Sequence, residues 1–269
     1  MRLLSDATAP NFLSDEDIFA IRNGSSEWFV LSEKTLNAIG RAVDRAREHI
    51  AAVDVNDCKS LVVALLMRTY ESMQGVVLLA ERRMTVQCDM LSRALYEDAF
   101  WAAYCVASPA KFVEELKLNS DRGRLAQVDI RLGIEGDLKH LREMKDSLLR
   151  ICAGARAANI VDVAKLGAYR KLYFVYKNLC DTAAHTSRSS LGRYFWRGEN
   201  DEIALTWDAV EAKDVSVALM QATLASIGTL LAAGEILDDT DVNAAALRLY
   251  CEHLSMTGDD DNAKEAVRE

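Results

Sequence analysis

Apolar residues recur at intervals of three and four positions through most of this 269-residue chain. This spacing places them on one face of an α-helix. Long segments with this period are joined by short links, and strands do not alternate with helices. Residues 193–208 instead show the period-two spacing typical of a β-hairpin. The pattern predicts an all-α fold, a multi-helix bundle with one small β-hairpin, and argues against Rossmann-type and barrel enzymes.

The segment boundaries predict one helical-bundle domain over residues 32–256. Residues 1–31 contain Asn-Gly and Ser-Ser turn signals, which indicate an irregular N-terminal arm, and Ser32 is expected to cap the first firm helix. Residues 109–157 alternate charges in the manner of solvated helices, which predicts an inserted, charged helical hairpin. Residues 257–269 are expected to form an acidic, disordered tail.

The composition limits the classes of function. A net charge of −9 and a pI near 5.1 argue against a surface built broadly for nucleic-acid phosphates, although a small local basic site remains compatible with them. The six cysteines form no CxxC pair, which favours buried free thiols in a reducing compartment. The first residues lack the features of a secretory signal, so we expect a cytoplasmic protein.

One segment is long enough to cross a membrane. Residues 215–237 have about the required length, but they contain several Ser, Thr and Gln residues and are only weakly hydrophobic. We therefore expect a buried central helix, and no association with a membrane.

A charged pair interrupts the apolar helix predicted at residues 91–104. Arg93 and Glu97 are four positions apart and so share a face, which Trp101 continues and Asp89 precedes by one turn. One interpretation is a polar pocket in which Arg93 binds an anion. The other is a structural ion-pair ladder at a helix edge. Buried charges are usually paired, so a pairing of Arg93 with Glu97 is compatible with both interpretations.

A second candidate cluster lies on the helix predicted over residues 161–185. Tyr176 belongs to its core stripe, whereas Asn178, Asp181 and His185 fall on the other face. Asp181, four positions before His185, is placed to orient the imidazole and raise its pKa. The alternative is a C-terminal histidine that interacts with the helix carbonyls.

Sequence motifs for bound groups are missing. The chain contains no HExxH motif, no EF-hand loop, no Cys/His cluster, no ExxH pairs of the di-iron bundles and no glycine-rich phosphate loop. We accordingly predict neither a metal nor a cofactor.

The order of these motifs resembles a known family. An R-x-L-Y-E motif at residues 93–97 precedes the charged insertion, and a Y-x-x-L-C motif at residues 176–180 precedes His185 and the hairpin. Over about residues 61–208 this is similar to bacterial proteins related to the HEPN domains (higher eukaryotes and prokaryotes nucleotide-binding). The resemblance implies a helical bundle, often a dimer.

The resemblance also implies a function. HEPN proteins are commonly metal-independent ribonucleases of toxin, abortive-infection and other defence systems, with an arginine and a later histidine separated by four to six intervening residues. His185 matches the histidine. Asn178, Leu179 and Cys180 occupy the arginine slots, so Arg93 or Arg170 would have to supply the charge from elsewhere.

Two hypotheses of function remain, one implied by the resemblance and one of a different class. In the first, the chain is a bacterial defence or stress effector that cleaves RNA. His185 would be the general base or acid, oriented by Asp181 and Asn178, and Arg93 with Glu97 would bind phosphate beside the aromatic residues Tyr176 and Trp101. In the second, it is a non-catalytic binding or assembly module, in which the same pocket binds a nucleotide or small anion or the face that carries His185 forms an oligomer interface. The expected partners are a second copy of the chain, RNA or a nucleotide, and a cognate protein.

Overall fold

A computed structural model of the chain describes residues 13–50, 52–154, 158–197, 203–205 and 212–258. The described α-helices are α1 Asp15–Gly24, α2 Ser26–His49, α3 Cys58–Ala80, α4 Thr85–Ala107, α5 Pro109–Glu135, α6 Lys139–Ile151, α7 Ile160–Leu166, α8 Tyr173–Leu179, α9 Arg188–Gly192, α10 Ala212–Leu237 and α11 Thr240–Thr257. A 3-10 turn, Arg170–Leu172, precedes α8, and a π-helical turn, Cys180–Ala184, follows it. The prediction of an all-α bundle is confirmed.

Helix α10 lies at the centre of the bundle and packs against α2, α3, α4 and α11. Two of its buried hydroxyl groups are hydrogen-bonded inside the core: Thr223 pairs with Ser32 of α2 at 2.9 Å, and the Ser226 hydroxyl donates to the Ala222 carbonyl at 2.8 Å. Small residues along α10 permit this close approach. The buried central helix expected at residues 215–237 is therefore present.

Within the described residues, α3 and α10 are the two helices long and apolar enough to cross a membrane by length and composition alone. In α10, 67% of the most apolar window is buried inside the fold, compared with 33% in α3. Core helices of soluble proteins have the same length and composition, and the contacts of α10 are those of a core helix.

The N-terminal boundary differs from the prediction. Ser14, not Ser32, caps the first described helix: the Ser14 hydroxyl accepts from the Asp17 amide at 3.2 Å, and the Asp17 carboxylate accepts from the Ser14 amide at 3.0 Å. Helix α2 begins at Ser26 and runs through Ser32, whose side chain is fully buried. The hydroxyl that suggested a cap instead bonds to α10. Residues 1–12 lie outside the described part.

The charged hairpin is present as α5 and α6, which share a small apolar cluster separate from the main core. The cluster consists of Val128, Leu141 and Leu148. Near its start α5 also reaches the main core through Phe112, which is fully buried.

Two short segments, β1 Phe195–Arg197 and β2 Ile203–Leu205, pair antiparallel, with Phe195 opposite Leu205. The link between them lies outside the described residues, as does the end of the segment 193–208, so the β-hairpin as a whole stays a prediction. The tail expected at residues 257–269 falls almost entirely outside the described part. Gly258, its second residue, adopts a left-handed conformation at the end of α11.

The prediction of a single α-helix over residues 161–185 is wrong in detail. The chain departs from α-helical geometry in three places: after Leu166, in a 3-10 turn and in a π turn. Helix α7 ends at Leu166, and Gly167 follows in an extended conformation against α4. A side chain at Gly167 would place its Cβ 2.8 Å from the Cβ of Ala103. The close contact with α4 explains why a glycine stands at the break. The chain then forms the 3-10 turn, α8 and the π turn.

Candidate functional site

Helices α4 and α8 face each other and bring four predicted motif residues together. Arg93 of α4 donates from Nη2 to the Tyr176 hydroxyl at 2.9 Å and from Nε to the Cys180 sulfur at 3.1 Å. Its Nη2 also lies 2.9 Å from Glu97 Oε1. The Tyr176 hydroxyl in turn donates to Glu97 Oε1 at 2.8 Å. We call Arg93, Glu97, Tyr176 and Cys180 the arginine cluster.

Electrostatics keep the Tyr176 hydroxyl neutral and the Arg93 guanidinium charged. Burial, reinforced by the Glu97 carboxylate, raises the pKa of Tyr176, so its hydroxyl stays neutral and acts as a donor. Burial acts to lower the pKa of Arg93, but the bond to Cys180 and the charge of Glu97 outweigh it, and the pKa is raised. The guanidinium also lies over the Tyr176 ring, 5.1 Å from its centroid. The cluster is a fixed ion pair bridged by a phenol.

The remaining residues of the predicted face lie elsewhere. Trp101, two turns beyond Arg93, packs against Tyr104 and Phe112, with ring centroids 6.0 and 6.2 Å apart. It contributes to the core at the far end of α4. The carboxyl of Asp89 is half-buried, which raises its pKa to about 6; the charge of Arg193 opposes this increase and that of Asp214 adds to it.

His185 stands immediately after the π turn, in an extended conformation, and its side chain is exposed. The predicted stripe of Asn178, Asp181 and His185 assumed α-helical spacing, whereas a π turn encloses one more residue in each hydrogen-bonded ring. Asn178 and Asp181 are also exposed. The Asp181 carboxylate accepts a 2.6 Å hydrogen bond from Lys177. In this structure Asp181 is therefore the partner of Lys177, and its predicted orienting role toward His185 is not seen.

The loop that holds His185 is tied at both ends. On one side, Cys180 begins the π turn and accepts the bond from Arg93. On the other, the Ser187 hydroxyl donates to the Asp181 carbonyl at 3.0 Å and accepts from the Ser190 amide at 3.0 Å, which caps α9. A single π turn, Cys180–Ala184, therefore connects the cysteine bonded to Arg93 to His185.

One protein family has a model that matches the chain: a family of unknown function (DUF5677), over residues 59–203, which is more than half of the 269 residues. The chain belongs to the DUF5677 family. The DUF5677 match begins in α3 and ends at β2, so it includes the whole arginine cluster and His185. No curated protein matches the chain, and no solved structure does.

The DUF5677 region contains a locally basic stretch, although the chain as a whole is acidic. Residues 165–197 contain seven Lys or Arg residues and one acidic residue, Asp181, a net charge of +6; the rest of the chain therefore accounts for −15 of the total of −9. We call residues 165–197 the basic segment. The total charge gives no sign of it, whereas a local charge count reveals it. It also exposes aromatic rings, with Phe174 at 79% and Phe195 at 54% exposure.

The sequence patterns also missed a buried carboxylate in this DUF5677 protein. Asp98 of α4 is fully buried, and neither carboxylate oxygen has a hydrogen-bond partner within the described part of the chain. Arg68 Nη1 lies 3.2 Å from Oδ1 without a well-directed bond. Burial raises the pKa of Asp98 to about 7, which Arg68 opposes and Glu97 reinforces. A signal was present, since residues 97 and 98 are both acidic in an apolar helix.

Metal ligation finds no support in the arrangement of side chains. In the portion of the chain that the structure describes, no group of three His, Cys, Asp or Glu residues is placed to hold a metal ion. All six cysteines fall in that portion and are free thiols. The described side chains around His185 offer an exposed imidazole, several cations and exposed aromatic rings.

Proposed function

We propose that this chain is a HEPN-like helical protein that acts on RNA as a metal-independent ribonuclease, in the cytoplasm, as an effector of bacterial defence or stress response. The observation that supports the proposal is the surroundings of His185. The histidine is exposed and lies inside the basic segment, in a chain that is otherwise strongly acidic.

The basic segment has the composition that single-stranded RNA requires. Phosphates are neutralised by exposed cations, here Lys165, Arg170, Lys171 and Arg188. Unpaired bases stack on exposed aromatic rings, which Phe174 supplies on α8. The acidic remainder of the chain repels nucleic acid and so confines binding to this segment.

His185 would act on the ribose. As a general base it takes the proton of a 2′-hydroxyl, and the resulting oxygen attacks the adjacent phosphorus. The bond to the 5′-oxygen then breaks, that oxygen takes a proton from water, and the RNA keeps a 2′,3′-cyclic phosphate. Arg188, exposed and three residues beyond His185, would stabilise the negative charge of the phosphorane.

Arg93 takes a positioning role in this proposal rather than the predicted phosphate-binding role. Its Nε and Nη2 groups are already engaged by Cys180, Tyr176 and Glu97. Through Cys180 it fixes the start of the π turn, and thereby the place where His185 leaves the helix.

The same engagement of Arg93 favours a second candidate, the non-catalytic binding module. With the guanidinium held by its own fold, RNA or a nucleotide would be bound through the basic segment and released unchanged. Binding and cleavage must therefore be measured separately.

The test uses a fluorescently labelled single-stranded RNA with EDTA present. The wild type is expected to bind the RNA and cleave it. His185→Ala is expected to bind equally well and to lose about 100-fold or more of the cleavage rate, the usual contribution of a general base. His140→Ala, at an exposed position on α6, is the matched control and should cleave like the wild type.

Each alternative result has a defined meaning. Binding without cleavage by the wild type would overturn the ribonuclease proposal in favour of the binding module. Cleavage that persists in His185→Ala would remove His185 from the mechanism. If neither binding nor cleavage occurs, both proposals on RNA fail.

We further propose that the chain acts as a homodimer and has a cognate protein partner, as the HEPN resemblance implies. Sedimentation velocity at micromolar concentration is expected to give the mass of two chains. A single species at the monomer mass of 29.8 kDa would contradict the dimer.

A further inference from the structure

A cavity of about 550 Å³ lies between α4, the 3-10 turn with α8, α10 and α11, and none of the four residues of the arginine cluster lines it. Small-molecule sites commonly fall in this range of volume. Most of its wall is apolar, and the aliphatic part includes Leu172, Val175, Leu224, Ile227 and Leu231. Such a wall favours the burial of an apolar body.

Three buried polar atoms belong to residues that line this cavity, each from a different helix. They are Tyr96 Oη of α4, Gln221 Oε1 of α10 and His253 Nδ1 of α11, and none has a hydrogen-bond partner among the described residues. Tyr96 is fully buried and His253 is 3% exposed. Since buried polar groups are nearly always paired, three unpaired ones around a single cavity indicate a missing partner.

The protonation of these groups defines what that partner must offer. His253 Nε2 lies 3.1 Å from the Met220 carbonyl, so Nε2 carries the hydrogen and Nδ1 is an acceptor. Burial lowers the pKa of His253 and keeps the ring neutral. Gln221 Oε1 is a second acceptor, and the Tyr96 hydroxyl is available as a donor. A hydroxyl group, which both donates and accepts, complements this set.

A cation completes the lining. Lys171 belongs to the 3-10 turn, lines the cavity and has an exposed side chain. It forms no hydrogen bond or ion pair with the described residues. An anionic group at the mouth of the cavity would meet its ammonium group.

We propose that this cavity binds an amphipathic organic carboxylate whose apolar body bears a hydroxyl group. The aliphatic wall encloses the body, the hydroxyl pairs with the unpartnered groups of Tyr96, Gln221 and His253, and the carboxylate lies at Lys171. The site shares Lys171 with the basic segment but includes neither His185 nor Arg188, and its occupation does not depend on ribonuclease activity.

The probe for the test is 10-hydroxydecanoate, titrated into the full-length protein by calorimetry. Decanoate lacks the hydroxyl and 1,10-decanediol lacks the carboxylate, so both are expected to bind more weakly than the probe. Loss of the ion pair with Lys171 in Lys171→Gln should weaken the probe about threefold, as expected for an exposed pair, and leave the diol unchanged.

A second variant fills the cavity. Leu224→Trp places an indole where the aliphatic body would lie and should lower affinity about tenfold or more. Leu247→Trp, at an exposed position of α11, is its control and should bind like the wild type. The surface variant at Lys171 keeps the test decisive if Leu224→Trp does not fold.

The proposal is overturned if the wild type binds none of the three probes at about 1 mM, the weak end of measurable affinity. It is also overturned if neither Lys171→Gln nor a folded Leu224→Trp changes the affinity, since binding would then occur elsewhere. Equal affinity for decanoate and 10-hydroxydecanoate would refute the part assigned to the hydroxyl.

Discussion

Tyr176 of α8 donates a 2.8 Å hydrogen bond to Glu97 of α4, and it does so while accepting one from Arg93 on the same helix as Glu97. A single phenol thereby bridges both members of an ion pair on the facing helix. Because Arg93 also bonds to Cys180, at the start of the π turn, the bridge joins the packing of two helices to the position of His185.

The Tyr176→Phe variant tests the bridge. The Arg93–Glu97 ion pair would remain, but each of these half-buried side chains would lose its hydrogen bond to the Tyr176 hydroxyl. We therefore expect the free energy of unfolding to fall by about 1–2 kcal/mol. Urea denaturation measures this. Tyr194→Phe, at an exposed position, is the control and should change stability by less than about 0.5 kcal/mol.

Asp98 should make stability depend on pH. Its folded-state pKa of about 7 lies above the ordinary value of 3.8, so the native state holds the proton more firmly than the unfolded chain. This stabilisation is fully present below pH 3.8 and is lost as the pH rises through 7. The full difference corresponds to about 4 kcal/mol at most.

The Asp98→Asn variant removes the carboxyl group, so its stability should fall less between pH 5 and 8 than that of the wild type. Thermal unfolding at both pH values measures the difference. Asp146→Asn, on the exposed surface of α6, should follow the wild type. Parallel curves for the wild type and Asp98→Asn would show that Asp98 is ionised in the native state throughout.

Gly167 should tolerate no side chain. The new Cβ of Gly167→Ala would lie 2.8 Å from the Cβ of Ala103, and backbone of α4 lies just behind. The required shift should cost about 1–3 kcal/mol, measured by denaturation. Gly123→Ala, in open space on α5, should instead stabilise by about 0.5–1 kcal/mol. Equal effects at both sites would mean that α7 and α4 do not pack closely here.

Charge reversal tests the basic segment. Arg170→Glu combined with Arg188→Glu should weaken RNA binding and make its logarithmic salt dependence shallower by about 0.7 for each phosphate that is no longer neutralised. Fluorescence anisotropy at several salt concentrations measures both. Arg47→Glu combined with Arg150→Glu changes the net charge equally at exposed sites outside the segment. An equal loss of affinity in both double variants would mean that only total charge matters.

Elements of the fold and of the candidate site could be predicted from the sequence where local sequence patterns and tertiary packing favour the same structure. Helix α4, Thr85–Ala107, contains the whole apolar helix predicted at residues 91–104, and α10 is buried, as its Ser, Thr and Gln residues and weak hydrophobicity suggested. The Arg93–Glu97 pair could be predicted because four-residue spacing on one helix fixes its geometry. Its contact with Tyr176 also follows from two apolar helices facing each other.

Features of the structure could not be predicted from the sequence where tertiary packing overrides the local sequence pattern. The aromatic stripe through Tyr176 keeps spacings of three and four across the breaks, so periodicity alone could not reveal the 3-10 and π turns. Ser32 has the chemistry of a cap, but its partner Thr223 is 191 positions away. The cavity was invisible for the same reason, since its three unpaired polar groups come from three separate helices.

The π turn at Cys180–Ala184 contains one more residue than an α-helical turn would. It is fixed by the Arg93–Cys180 hydrogen bond at its start and by the Ser187–Asp181 hydrogen bond from the serine that caps α9. Each residue of an α-helix turns the chain by about 100°. A family member shorter by one residue here would therefore present a different side chain in the place of His185. Chain length in this short stretch, as much as residue identity, would decide which DUF5677 proteins share its chemistry.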